Sequence, residues 1–256
     1  MIIKPELARI AELKHLSLKN AERDYLLELI LYSTLDIGRW LVLKGGTALY
    51  KFYNLNRFSE DLDFDVVGRR FDPNVLVGLV LRNLEHIGMP RTSCEKEKHR
   101  NEINIRFAVR GPLYDGSRAS MSRVTLNLSR RERPTSLQNM FLATSYPEIP
   151  SFELSVLSAE EIAAEKIRGI MTREKPRDVY DLWFLIKRGT KVDIPKVNRK
   201  LRLYGLTFHP KIFCEKLYEK RNMWSRDLRG LMVGALPEFD KVAAELESKC
   251  EEWTKR

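Results

Sequence analysis

The stretch from Asp61 to Val67 constrains this chain more than any other. Carboxylates stand at Asp61, Asp63 and Asp65, and apolar residues at Leu62, Phe64 and Val66. A strict period of two predicts a β-strand with an apolar face on the core and three carboxylates on the other face. Acids at i and i+2 have backbones roughly 6.5–7 Å apart, close enough for their side chains to converge on shared cations. Their like charges repel, and a hard cation is the natural relief. Two ions about 4 Å apart can clamp the attacking and leaving oxygens of a phosphoryl transfer. Magnesium suits a few carboxylates plus substrate phosphates. An EF-hand loop is excluded, because its sixth and twelfth positions fall on Val66 and Asp72 instead of Gly and Glu. A phosphatase-type Asp-x-Asp followed by Gly-Thr is absent as well. The plain alternative is a solvated strand face.

The preceding residues decide between these. Trp40-Leu41-Val42-Leu43 is a short apolar run that stops at Gly45-Gly46. It predicts a buried strand end feeding a tight turn, with a short helix from Thr47 to Tyr53. Bare backbone N–H groups at such a turn can approach phosphate oxygens, and a helix N-terminus adds partial positive charge. Thr47 can donate its hydroxyl to the same phosphate. Asp61 and Asp63 follow Thr47 by 14 and 16 residues. A Gly-Gly-Thr turn followed by a strand bearing Asp-x-Asp is far more specific than a glycine pair alone.

Helical spacing of apolar residues predicts helices over 5–15, 20–37 and 73–87, with Asn20 as N-cap of the second. Residues 101–110 and 122–129 alternate like strands, with turns at Gly111-Pro112 and Asp115-Gly116. From Ser158 onward the pattern is helical, with breaks at Pro176, Gly189, Pro195, Pro210 and Pro237. Residues 145–157 read as a link. The fold class is α/β (α+β): a mixed sheet flanked by helices over 1–150, then a helical C-terminal domain over 151–256 that completes the site.

Composition bounds the rest. Of 256 residues, 43% are hydrophobic and 31% charged, as in a soluble globular protein. No apolar run approaches the roughly 18–20 residues that span a bilayer. The N-terminus has no apolar signal segment, so the chain reads as cytoplasmic. Cys94, Cys214 and Cys250 are widely spaced and read as free thiols. His15, His86, His99 and His209 are scattered without ligand spacing. Trp183 and Phe184 read as core, and Arg130-Arg131-Glu132-Arg133 as either a phosphate contact or a solvated strand end. The formal charge of +10 is uneven: residues 196–229 hold ten Lys or Arg against three acids, and 101–150 hold seven Arg against four acids. Clustered positive charge suits a polyanion surface, since neutralised phosphates release counterions. A solvated basic exterior is the bland reading.

Lys44-Gly45-Gly46-Thr47-Ala48-Leu49 and Arg57-Phe58-Ser59-Glu60-Asp61-Leu62-Asp63-Phe64 resemble the core of AbiEii-type nucleotidyltransferases, the toxins of abortive-infection and related toxin–antitoxin systems. These belong to the DNA polymerase β-like superfamily, marked by a Gly-Gly or Gly-Ser turn followed by Asp-x-Asp. A second block resembles the family too: Glu160-Glu161-Ile162-Ala163-Ala164-Glu165-Lys166, then Arg177-Asp178-Val179-Tyr180-Asp181-Leu182. The motifs span residues 44 to 182. On a helical wheel Lys166 falls among Ile162, Ala163 and Ile170, so it either snorkels out or meets an anion in a cleft. Asp178 and Asp181, at i and i+3, share one helix face.

The resemblance implies Mg2+ (or Mn2+) on Asp61 and Asp63, with Lys44, Gly45, Gly46, Thr47, Arg57 and Ser59 binding the nucleotide. It implies that Lys166 contacts the phosphates while Asp178 or Asp181 orients it or completes the site. Superfamily members carry a third acid on a later strand, and here the matching position is Asn127. An amide is no general base and is a weaker metal ligand. Asp65 could take that role, the true position could lie elsewhere, the metal alone could activate the acceptor, or the chain could be inert. The expected activity is transfer of a nucleotidyl group from an NTP to RNA, a tRNA 3′ end in the related toxins. A protein hydroxyl as acceptor, or a non-catalytic RNA-binding relative, are the alternatives. A cognate antitoxin is an expected partner, and no membrane is.

Overall fold

The computed structural model describes residues 1–253. Helices α1 (Lys4–Leu13) and α2 (Leu18–Ser33) open the chain. The N-cap of α2 is Ser17, whose hydroxyl accepts from the backbone N–H of Asn20 at 3.2 Å. Asn20 thus lies inside the helix and is the recipient of the cap. The helix also ends before residue 37: Leu35–Trp40 is a 3-10 turn that delivers strand β1 (Leu41–Lys44).

Helix α3 (Gly45–Phe52) begins directly at the glycine pair, two residues earlier than expected. Strand β2 (Leu62–Val66) returns antiparallel to β1, and α4 (Pro73–His86) follows, capped by Asp72. Then come β3 (Ser93–Lys98), β4 (Glu102–Val109), β5 (Ser122–Ser129), β6 (Leu137–Leu142) and β7 (Phe152–Leu157). The seven strands form one mixed sheet in the order β3-β4-β5-β2-β1-β7-β6. Strands β2 and β5 run parallel, as do β1 and β7, while β3, β4 and β5 form an antiparallel meander. Residues 152–157, expected as part of a link, are a sheet strand that pairs Val156 with Leu43. Two of the three strands not foreseen lack the periodic signal: β3 reads Ser-Cys-Glu-Lys-Glu-Lys and is nearly all exposed, and β6 is a largely exposed sheet edge.

Alternation sorts the sheet into two faces. Leu62, Phe64, Leu126, Leu128 and Ile105 are buried on one face. Asp63, Asn127 and Asn104 lie side by side on the other, joined by the registers of β2, β5 and β4. Six helices follow the sheet: α5 (Ala159–Thr172), α6 (Pro176–Lys187), α7 (Ile194–Arg202), α8 (Pro210–Tyr218), α9 (Trp224–Leu228) and α10 (Phe239–Trp253). Pro176, Pro195 and Pro210 occupy the first turns of α6, α7 and α8, where a missing N–H costs nothing. Among the described residues no helix is long and apolar enough to cross a membrane.

The chain divides into two compact units. The first comprises Met1–Phe52 and Phe58–Val156, the second Tyr53–Arg57 and everything from Leu157. The short piece 53–57 belongs with the helices: the hydroxyl of Tyr53 donates to the carbonyl of Leu157 at 2.7 Å, and Val233 N–H donates to the Asn56 carbonyl at 3.0 Å.

Inside the first unit, α2 carries a buried ionic cluster. Asp24 accepts from Lys51 at 2.6 Å and Lys14 at 2.7 Å, and Lys51 also meets Glu28 at 2.6 Å. The Tyr146 hydroxyl adds a further bond to Asp24 at 2.9 Å. Burial pushes the Asp24 carboxyl up, but the Lys51 and Lys14 charges together outweigh it and hold it below the ordinary aspartate range. A depressed pKa contributes stability that is present above the unfolded value and lost as pH falls through the folded one. We therefore expect Asp24→Asn to cost roughly 3–5 kcal/mol near neutral pH, because it strands buried lysines. Urea melts from pH 7 downward should show the gap to the unaltered chain narrowing below about pH 4. A gap that does not change with pH would contradict this assignment.

Candidate active site

The two motifs read from the sequence meet at the β1–β2 pair. Lys44 lies directly opposite Asp63, with Leu43 opposite Phe64. Gly45 follows with φ of +72°, a left-handed conformation that disfavours any side chain. A Cβ there would also fall 2.6 Å from the Asp63 Oδ2, so the glycine is required twice over. Its absence of a side chain brings the Asp63 carboxylate against the start of α3. The first N–H groups of a helix have no partner inside it and carry partial positive charge.

The hydroxyl of Thr47 donates to the backbone carbonyl of Asp61 at 2.5 Å, and Thr47 is fully buried. It was expected to reach a phosphate. Instead it ties the first turn of α3 to the entry of β2, which fixes where Asp61 and Asp63 begin. Asp61 and Asp63 are both half-buried, as ligand-facing groups need to be.

Asp65 departs from the expected solvent-facing row. It is 1% exposed, and Lys44 Nζ donates to its Oδ1 at 2.7 Å. This pairing engages both Lys44, expected on the nucleotide, and Asp65, considered as a third acid. The position expected to hold the third acid is well placed: Asn127 is the register partner of Asp63 on β5. Its amide Nδ2 donates to the Asp63 Oδ1 at 2.9 Å. One oxygen of Asp63 is therefore held by Asn127 while the other faces Gly45.

Among the described residues no group of three or more His, Cys, Asp or Glu side chains is arranged to hold a metal ion. Two carboxylates at one strand entry, backed by an amide, still fit magnesium. That ion keeps several waters and takes one or two carboxylates together with substrate phosphates.

The second block forms a separate cluster within the helical unit. Lys166, on α5, is 5% exposed and meets Asp178 at 3.1 Å and Asp181 at 2.6 Å, both on α6. The anion foreseen for this lysine is thus supplied by the chain itself. Arg173 closes on Asp178 with two bonds, Nε at 2.6 Å and the terminal nitrogen at 2.8 Å. Gly169 permits this approach, since a Cβ there would lie 2.5 Å from the Asp178 Oδ2. Burial raises both carboxyls, but Lys166 and Arg173 at Asp178, and Arg57 and Lys166 at Asp181, hold them below their usual range.

Arg57 was expected on the nucleotide. It is 2% exposed and grips Asp181 in a fork, Nε to Oδ1 and the terminal nitrogen to Oδ2, each at 2.6 Å. A guanidinium so engaged is a brace for Asp181, not a surface for ligand. Ser59 is likewise buried, at 8% exposure. Part of the basic run 196–229 is paired within its own unit. Lys200 is buried against Glu161 at 2.8 Å, Lys196 meets Glu161 at 3.2 Å and Lys216 meets Glu219 at 2.8 Å, while Arg221 pairs with Asp240. Gly169 and Arg173 had no motif to announce them, although a glycine inside a helix is itself a signal of close packing.

The fold is shared by solved structures. JHP933 from Helicobacter pylori is 22% identical, with 94% of each chain covered and a TM-score of 0.64. A putative nucleotidyltransferase from H. pylori is 24% identical, covering 94% of this chain and 96% of that one, with a TM-score of 0.62. MenT4, a nucleotidyltransferase toxin from Mycobacterium tuberculosis, is 21% identical, covering 100% of this chain and 91% of that one, with a TM-score of 0.67. No curated protein matches the chain. The family described as "Nucleotidyl transferase AbiEii toxin, Type IV TA system" matches residues 30–245. The chain belongs to the AbiEii family of nucleotidyltransferase toxins and is a nucleotidyltransferase, which implies a nucleoside triphosphate as substrate and a cognate antitoxin as partner.

Proposed function

We propose that this nucleotidyltransferase is magnesium-dependent and moves a nucleotidyl group from an NTP to an RNA acceptor, a tRNA 3′ end, with pyrophosphate leaving as the α–β phosphoanhydride breaks. The observation that carries the reading is the seat of Asp63, one oxygen against Gly45 and the other held by Asn127. Asp61 and Asp63 are the residues that would hold the metal, which when bound neutralises triphosphate charge and polarises the phosphoryl oxygens. The N–H groups of Gly45 and Gly46 at the start of α3 receive phosphate oxygens there. Lys166, held by Asp178 and Asp181, is the cation that the family resemblance assigns to the phosphates.

Asn127 cannot take a proton from the acceptor hydroxyl, and Asp65 is bound to Lys44. Asn127 instead keeps Asp63 in one rotamer, so that its carboxylate does not swing away from the glycine turn. The acceptor proton then leaves to solvent or to substrate phosphate.

Incubation with each labelled triphosphate, magnesium, total tRNA and a protein extract tests the acceptor. Label is expected in tRNA; label confined to protein would replace RNA with a protein hydroxyl. Asp63→Ala should reduce transfer at least about a hundredfold while thermal melting stays near that of the unaltered chain. Retained transfer would put the reaction elsewhere. Gly45→Ala should lose both activity and roughly 1–3 kcal/mol of stability, since it combines a disfavoured φ with a clash at Asp63. Normal folding and turnover in that variant would refute the close approach. For Asn127→Ala a fall in kcat with little change in KM for the triphosphate is expected, because positioning and not binding is lost.

A further inference from the structure

The first unit holds a concentration of cations of its own. A cavity of about 480 Å³ lies among the first turn of α4, the end of β5 and the β3–β4 hairpin. Its floor is apolar: Val66, Phe71, Ile103 and Leu128. Leu128 pairs with Phe64 on one side and Ile103 on the other, so this floor is the sheet face opposite Asp63 and Asn127. The cavity is therefore not the catalytic pocket entered from another direction.

Its rim is basic. Lys96, Lys98, Arg100 and Arg130 all line it. Arg130 is pinned there by a bond from its guanidinium to the Phe71 carbonyl at 3.0 Å, and Lys96 Nζ is hydrogen-bonded to the Asn74 side chain. Lys98 and Arg100 are exposed, and their side chains make no hydrogen bond or ion pair among the described residues. The acids nearby do not balance them. Glu102 lines the cavity but is taken by Arg131 at 2.9 Å, and the Asp72 carboxylate caps α4 by accepting from Asn74 N–H at 2.8 Å.

A few-hundred-Å³ hollow with an apolar floor and a small set of charged groups at its mouth is the general form of a ligand site. The combination here is particular: an apolar hollow, with Ile103 the most exposed residue of its floor, beside unpaired cations on flexible stems. A nucleotide matches both halves. Bases of single strands lie on aromatic and apolar side chains, while lysine and arginine meet the phosphates. A simple anion would leave the floor wet, and an apolar ligand would leave the cations unanswered.

We infer that this cavity is a second nucleotide site, in which a base of a single-stranded RNA segment enters the hollow against Ile103 and the edge of Phe71 and its flanking phosphates meet Lys98 and Arg100. The site stands apart from the reaction proposed above, and its test reads binding alone. The probe is a fluorescein-labelled hexaribonucleotide, titrated by anisotropy against the full chain in the absence of divalent ions. The double variant Lys98→Glu, Arg100→Glu should bind at least about tenfold more weakly and melt at the same temperature as the unaltered chain. The slope of log K against log salt should fall by about 1.4, from two lost single-strand phosphate contacts.

Asp63→Ala should bind the hexamer as the unaltered chain does, so a failure of the catalytic reading leaves this result untouched. Competition with adenosine monophosphate separates the two sources of a nucleotide. Displacement only by unlabelled hexamer identifies an RNA strand; displacement by the monophosphate at equal base concentration identifies a free nucleotide and supports the site while removing RNA from it. Two results overturn the inference: unchanged hexamer affinity in the double variant, or polyphosphate of equal charge displacing the hexamer as well as RNA does.

Discussion

The close approach of Gly45 to Asp63 is the constraint on which the sheet end depends. Strand β1 must stop, turn through a left-handed residue and start a helix within one step, all beside a carboxylate. Any side chain at Gly45 would force either the turn or Asp63 to move. The consequence is that the helix start, the acid and the amide of Asn127 are set by backbone geometry shared between β1, β2 and β5. The hydroxyl of Thr47 closes the arrangement by fastening α3 to the Asp61 carbonyl. An electrostatic site works best when its groups are fixed before charge develops, and here that fixing is done by strands and a helix terminus.

The helical unit solves a different problem, that of holding charge away from water. Asp178 and Asp181 are almost wholly buried, and each receives two cations. Such pairs contribute little net stability against apolar packing, because desolvation offsets most of the attraction. What they supply is placement: Lys166 cannot leave its two carboxylates without exposing all three groups. The forked bond from Arg57 does the same for Asp181 from a segment far away in sequence.

Legibility in the sequence followed the strength of local signals. The Asp-x-Asp strand, the glycine turn and the family blocks were readable because each compresses its information into a few residues. The α/β class followed from the same pattern. Strand β3 was not readable, since a half-exposed edge of Ser, Cys, Glu and Lys has no apolar face to betray its period. Strand β7 was hidden by prolines at 147 and 150, which mark turns well and conceal the strand that starts just after them. Side-chain partners were the least accessible. Thr47, Lys44 and Arg57 have chemistry that suits phosphate, and only the fold reveals that Asp61, Asp65 and Asp181 reach them first. Within the basic run at 196–229 the pairing was hidden for the same reason, because counter-ions for Lys196, Lys200 and Arg221 come from Glu161 on another helix and from Asp240 beyond the run.

Residues 53–57 connect two elements of the sheet unit yet belong to the helical one. The polypeptide therefore passes from one unit to the other and back before it finally enters the helices at Leu157. No single cut separates them. A fragment beginning at residue 157 would lack Arg57, one of the two cations on Asp181, together with the Tyr53 and Asn56 anchors. Its complement would carry a peptide loop whose natural counterpart had been removed. A cut at the second boundary alone therefore leaves the helical unit's own residues 53–57 attached to the wrong piece.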